Sequence, residues 1–213
     1  MIRRDESEER FTRRLEAFSD IVIGFSLAQL GVNLAGVSHA PQFFTSPLQM
    51  LEFIFPFAII CSVWFFHHRL FSHVFVPKAI PVMLNFAWLA IVVLLVFAAE
   101  AYTVNSRNMT VIRAYFVCYA LVYALLAVQN LIAARYAKER GNPETRAHAL
   151  RFAAFMSLWT LPFLWSLAVV IFVAPGPEYG IFLSAGFIVT GIASGVLRRY
   201  LRKAQTAQPA GAA

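Results

Sequence analysis

Few residues in this chain are able to do ionic or acid–base chemistry, and most of them lie inside apolar stretches. Asp20 follows Ser19 and stands six residues after Arg14; His67, His68 and Arg69 are consecutive, with His73 close behind; Glu52 and Glu100 each stand near the end of an apolar run. A carboxylate near a helix N-terminus gains from the helix dipole. Asp20 therefore reads either as a capping and packing group or as a functional one. The paired histidines invite a metal site, but neighbours on a helix point about 100° apart, and no carboxylate or cysteine stands at ligand spacing. Hydrogen bonding at one end of a helix accounts for them better, and no metal or other cofactor is expected. Glu52 reads as an interfacial carboxylate or as a mouth residue for cations, and Glu100 as a side chain that reaches water. No nucleophile, base and orienting group stand together, so no enzyme activity is expected.

The elements that position these residues follow from composition. Of 213 residues, 60% are hydrophobic and only 14% are charged, and mean hydropathy is +0.66. Soluble domains carry about 25% charged residues, whereas a helix crosses the hydrocarbon of a bilayer in about 20 apolar ones. Spans are predicted over residues 15–34, 48–71, 79–101, 111–134, 149–174 and 179–200. The fold class is all-α: a polytopic membrane protein with six transmembrane helices. Its organisation is an N-terminal lead (1–14), one membrane domain (15–203) and a disordered tail (204–213). The first span follows a long charged lead and reads as a retained helix rather than a signal peptide. Breakers fall between spans: Pro41 and Pro47, Pro77 and Pro81, Gly141-Asn142-Pro143, and Pro175-Gly176-Pro177 as a tight turn.

Sixteen of the eighteen Lys and Arg residues fall in the lead, in the second and fourth loops and in the tail, with Arg107 and Arg113 on the other side. Cytoplasmic loops retain positive charge, so both termini are expected in the cytoplasm. This asymmetry accounts for the sequence pI of 9.8 without a nucleic-acid partner. Cys61 and Cys118 lie in apolar runs and read as small buried hydrophobes. No internal repeat and no heptad pattern is apparent. On the first helix Ser19, Ser26, Gln29 and Asn33 share one stripe, and Gly24, Gly31 and Gly36 permit close approach of a neighbour. Either this helix lines a water-filled path, or its amides bond to an adjacent helix.

Three motifs then stand in order. Arg14 to Asp20 reads R-x-x-x-F-S-D at the opening of the first helix; Trp64 to Phe71 holds W-x-x-H-x-R-L-F at the inner end of the second; Leu84-Asn85 comes early in the third. Together they resemble the transmembrane protein 175 family of potassium channels in its single-repeat prokaryotic form, over residues 10–90. The resemblance implies a homotetramer in the cell membrane, passing potassium or other monovalent cations through a central pore lined by the first helix. It implies a hydrophobic constriction in place of a carbonyl filter. The implied pore-lining residues are Phe25, Ala28, Gln29 and Val32, and the implied support network of the pore helix is Arg14, Phe18, Ser19, Asp20, Trp64, His67 and Asn85. The chain departs from the family at Ala28, which lacks the usual hydroxyl, and at Phe97-Ala98-Ala99-Glu100, where Leu-Pro is usual. A small secondary transporter of a cation or small solute is the alternative. No inverted repeat or broken helix favours it.

Overall fold

The computed structural model describes residues 5–37, 47–105, 108–173 and 179–206. Six helices and no strand stand among them: α1 (Glu6–Val37), α2 (Pro47–His73), α3 (Ala79–Val104), α4 (Met109–Glu139), α5 (Pro143–Phe172) and α6 (Tyr179–Thr206). Four have the length and apolarity to cross a membrane, over Glu6–Val32, Ala79–Tyr102, Met109–Glu139 and Pro143–Phe172, and a shorter apolar run covers Ile181–Val196. The chain is thus an all-helical, multi-pass membrane protein.

Most helices run beyond the predicted apolar limits, because charged turns keep their i to i−4 bonds once they leave an apolar phase. Nine residues of the lead belong to α1, and 204–206 belong to α6. Asp5 caps α1 by accepting from the Glu8 backbone amide at 2.7 Å and from the Ser7 hydroxyl at 2.8 Å. These bonds, the Glu8 amide foremost, hold the Asp5 carboxyl below its ordinary pKa. Positions 207–213, the Pro175-Gly176-Pro177 turn, and the side chains of Asn33 and Glu52 lie outside the described residues.

The α4–α5 hairpin is the most extensive contact of the bundle. Its corner is closed by Gly141 at φ 65°, with the Asn142 amide donating to the Ala137 carbonyl at 2.9 Å and the Gly141 amide to Lys138 at 3.1 Å. That pair of bonds terminates α4 on a left-handed residue that glycine adopts without penalty. Asn142 then caps α5 by accepting from the Thr145 amide, with Pro143 in its first turn. Along the hairpin the rings of Tyr119 and Phe163 stack at 4.7 Å, and those of Tyr123 and Phe163 at 5.4 Å. Phe66 of α2 inserts against Tyr123, Phe152 and Phe155. Trp88 of α3 donates to the Val122 carbonyl of α4 at 3.1 Å. Elsewhere large apolar side chains face outward, among them Phe97, Leu161, Trp165, Phe172 and Ile188. Lipid suits such a surface and water does not. Cys61 and Cys118 are free thiols and half-buried.

The α5–α6 contact turns on one glycine. A methyl added at Gly186 would meet the Trp165 ring at 2.6 Å, and that indole donates to the Phe182 carbonyl at 2.7 Å. The ring is pinned, so it cannot yield cheaply. Gly186→Leu is expected to destabilise the folded chain by about 1–3 kcal/mol, read as a lowered Tm in detergent. A Tm equal to that of the parent would show that α6 is not held at this point.

Candidate functional site

α1 packs chiefly along α3, and less extensively on α2. Its buried line is Thr12, Leu15, Ser19, Ile23, Ser26 and Leu30. Ser19 and Ser26 turn their hydroxyls onto carbonyls of their own helix, Leu15 and Val22, each at 2.8 Å. Gln29 stands on the exposed side. Along the expected polar stripe the serines are buried and Gln29 is exposed, while Ser26 and Gln29 border one groove.

At Ser19 three helices are joined. The Asn85 side-chain amide donates to Ser19 Oγ at 3.1 Å, and His67 Nε2 lies 2.8 Å from Asn85 Oδ1. Because Asn85 uses its NH2 on Ser19, its carbonyl must accept, which assigns the imidazole proton to Nε2. The result is a directed chain from His67 of α2 through Asn85 of α3 to Ser19 of α1, ending on the Leu15 carbonyl. Ser19, His67 and Asn85 are fully buried. The imidazole is sandwiched by Trp88, ring stacked at 4.3 Å, and Phe71 at 4.6 Å. His67 Nδ1 has no hydrogen-bond partner among the described residues.

A second, more exposed layer lies beside the first. Trp64 Nε1 donates to Asp20 Oδ1 at 2.8 Å, and His68 Nδ1 meets Glu16 Oε1 at 2.8 Å. The Trp64 and His68 rings stack at 5.8 Å. Phe18 touches Phe86 of α3 edge-on at 6.1 Å. Of the seven residues expected in the network, the structure links Ser19 to His67 through Asn85, links Asp20 to Trp64, and brings Phe18 to α3. Arg14 stands exposed on α1, and no hydrogen bond ties it to the others among the described residues. His67 and His68 diverge to different partners, and among the described residues no three His, Cys, Asp or Glu side chains gather as metal ligands.

Glu16 and Trp88 were not singled out by sequence reasoning. Trp88 was findable: it lies one turn after Asn85, on the same face of α3. Glu16 carried no comparable signal, since its partner comes from another helix. Of the residues expected to line a pore, Phe25, Ala28, Gln29 and Val32 are all exposed on α1. Phe25 and Gln29 also border a groove of about 540 Å³ between α1 and α3, whose wall includes Phe97 and Glu100. Glu100, expected simply to reach water, is half-buried in that wall.

The linked residues all fall within one stretch of chain. Residues 14–95 match the family model described as endosomal/lysosomal potassium channel TMEM175. Over that stretch, less than half of its length, the chain is similar to the TMEM175 family. The TMEM175 match takes in the exposed face of α1, the whole network and most of α3, and ends before α4. TMEM175 is a family of ion channels, not of enzymes. No curated protein and no solved structure matches the chain.

Proposed function

We propose that the chain is the protomer of a homotetrameric potassium, or monovalent cation, channel whose central pore is lined by α1. The observation that supports this most directly is the outward face of α1. Phe11, Phe18, Phe25 and Val32 follow at seven-residue intervals, with Ile21 and Ala28 between the later ones, and all are exposed, Phe25 at 72% and Val32 at 68%. A seven-residue apolar repeat is the seam by which like helices pack around an axis. Gly24 and Gly31 flank it with open space where a Cβ would stand, which permits close approach of another helix. Gln29 on the same side suits water better than lipid.

Each chain supplies one such helix, so an enclosed route takes several copies, and four is the number the family resemblance implies. Phe25, Ala28, Gln29 and Val32 would face the route. Phe25 would be its constriction, closing by dewetting and passing ions that shed water cheaply. The Ser19–Asn85–His67 chain and the Asp20–Trp64 bond would hold α1 at its angle on α2 and α3. In the same reading α2 and α6 complete six spans, and the basic ends put both termini in the cytoplasm of a plasma-membrane protein. Residues 1–14 are then the cytoplasmic lead, 15–203 the channel domain and 204–213 the tail.

The test is potassium flux into liposomes holding the purified chain, together with a projection map of the particle. A cation-selective leak and four subunits around a central axis are expected. Absence of any leak, or a map with nothing at its centre, would overturn the reading.

A further inference from the structure

At the end of the bundle where α2 finishes and α5 begins, four basic side chains converge. Arg69 and His73 come from the last turns of α2, and His148 and Arg151 from the early turns of α5. The imidazoles of His73 and His148 stack with centroids 5.3 Å apart and planes 16° from parallel. His148 stacks in turn over Phe152, and the Arg69 guanidinium lies 4.8 Å above that same ring. Arg151 stands one turn after His148 on the same helix.

Nearby acids do not answer this charge. Glu16 is paired with His68 and Glu139 with Arg135. Glu144, one turn before His148 on α5, makes no ion pair with any of the four among the described residues. Arg69 and Arg151 carry permanent like charge, and an anion set between them offsets their repulsion. The planar fork of arginine suits phosphate oxygens. Phe152 holds Arg69 in place beforehand, which lowers the ordering cost of engaging a ligand.

We propose that Arg69, His73, His148 and Arg151 form a binding site for an anionic phosphate, supplied by the headgroup of a membrane lipid. The lipid source is favoured by position: Phe65, exposed one turn before Arg69 on α2, stands where acyl chains would lie, and Leu150, also exposed, lies between His148 and Arg151 on α5. Basic pockets between helices at a membrane surface recognise anionic headgroups in this way. The inference rests on the multi-pass membrane reading and not on conduction.

The experiment titrates the full chain in detergent with short-chain phosphatidylglycerol, short-chain phosphatidylcholine and inorganic phosphate, and counts adducts by native mass spectrometry. Phosphatidylglycerol is expected to bind at least about tenfold more tightly than phosphatidylcholine, since each basic group near an anionic headgroup contributes about fivefold. Arg151→Gln, at an exposed position, is expected to lose about fivefold, and Arg69→Gln with Arg151→Gln about twenty-five-fold. Arg135→Gln, at the same end but paired with Glu139, should bind as the parent does. Equal binding of the two lipids, or variants that bind phosphatidylglycerol like the parent, overturns the site. Inorganic phosphate binding as tightly as the lipid overturns the lipid source. A chain that conducts nothing yet selects phosphatidylglycerol leaves this site standing and removes only the channel.

Discussion

Phe25→Ala is expected to raise potassium flux in liposomes at least about tenfold, and to weaken discrimination among monovalent cations. The ring is 72% exposed on the protomer, so its loss leaves little hole in the protomer itself. Exposed substitutions of this kind shift stability by no more than about 0.5 kcal/mol. In an assembly built around α1 the same change acts once per copy at one level of the route. In the proposed tetramer, four rings removed together would widen the narrowest apolar passage and relieve the dewetting that closes it. Phe172→Ala removes an equally large ring, 84% exposed at the end of α5, and serves as the control that should leave flux unaltered. If Phe25→Ala and its parent leak alike, with the same ion preference, Phe25 is not the constriction.

Asn85→Leu is expected to be the most damaging single change to the joint between α1, α2 and α3. Leucine has the heavy-atom count and branching of asparagine without its polar group, so the relay at the centre is lost. His67 then has a buried N–H with no acceptor, and Ser19 loses a donor, all in fully buried surroundings. A single interhelical bond in a membrane protein is worth only about 0.6 kcal/mol on average. Stranding a buried polar group costs about 1–3 kcal/mol, so the orphans dominate, and a loss of about 2 kcal/mol is expected. Denaturation in mixed detergent measures it. A double-mutant cycle with Ser19→Ala should return a coupling of at least about 0.5 kcal/mol. Trp64→Phe, which removes a bond at the exposed layer, should cost less than about 1 kcal/mol. A stability for Asn85→Leu equal to that of the parent would mean that the three helices are held by shape alone.

What was legible in the sequence was whatever hydropathy and punctuation write directly. The helices start where Ala79 and Tyr179 said they would, and the α4–α5 corner forms at Gly141-Asn142-Pro143. Helix ends such as Glu6 and Glu139 were misjudged because apolarity marks where lipid ends, and hydrogen bonding continues past that limit. The contacts among Ser19, Asn85 and His67 join residues 18 and 66 positions apart, which no local spacing encodes; only the family resemblance brought them together. The seven-residue repeat on α1 was overlooked for a different reason. Leu15, Ile23 and Leu30 lie on the packed side of the same helix, with Leu15 one turn from both Phe11 and Phe18, so apolar residues surround it and mask the regular interval of Phe11, Phe18, Phe25 and Val32. Burial separates the two sets at once. Gln29 and Glu100 were read apart and turn out to border one groove, again because they belong to different helices.

The hydrogen-bond chain at Ser19 has a polarity, and polarity decides what it transmits. Every donor points the same way, from imidazole to amide to hydroxyl, and the last proton rests on the Leu15 carbonyl, which has none to pass on. Shuttling a charge along it would require the imidazole tautomer, the amide and the hydroxyl all to reverse inside a sealed aromatic box. A chain so arranged suits a strut and not a wire: in the proposed channel it would fix the tilt of one helix on two others and would offer hydrogen ions no road.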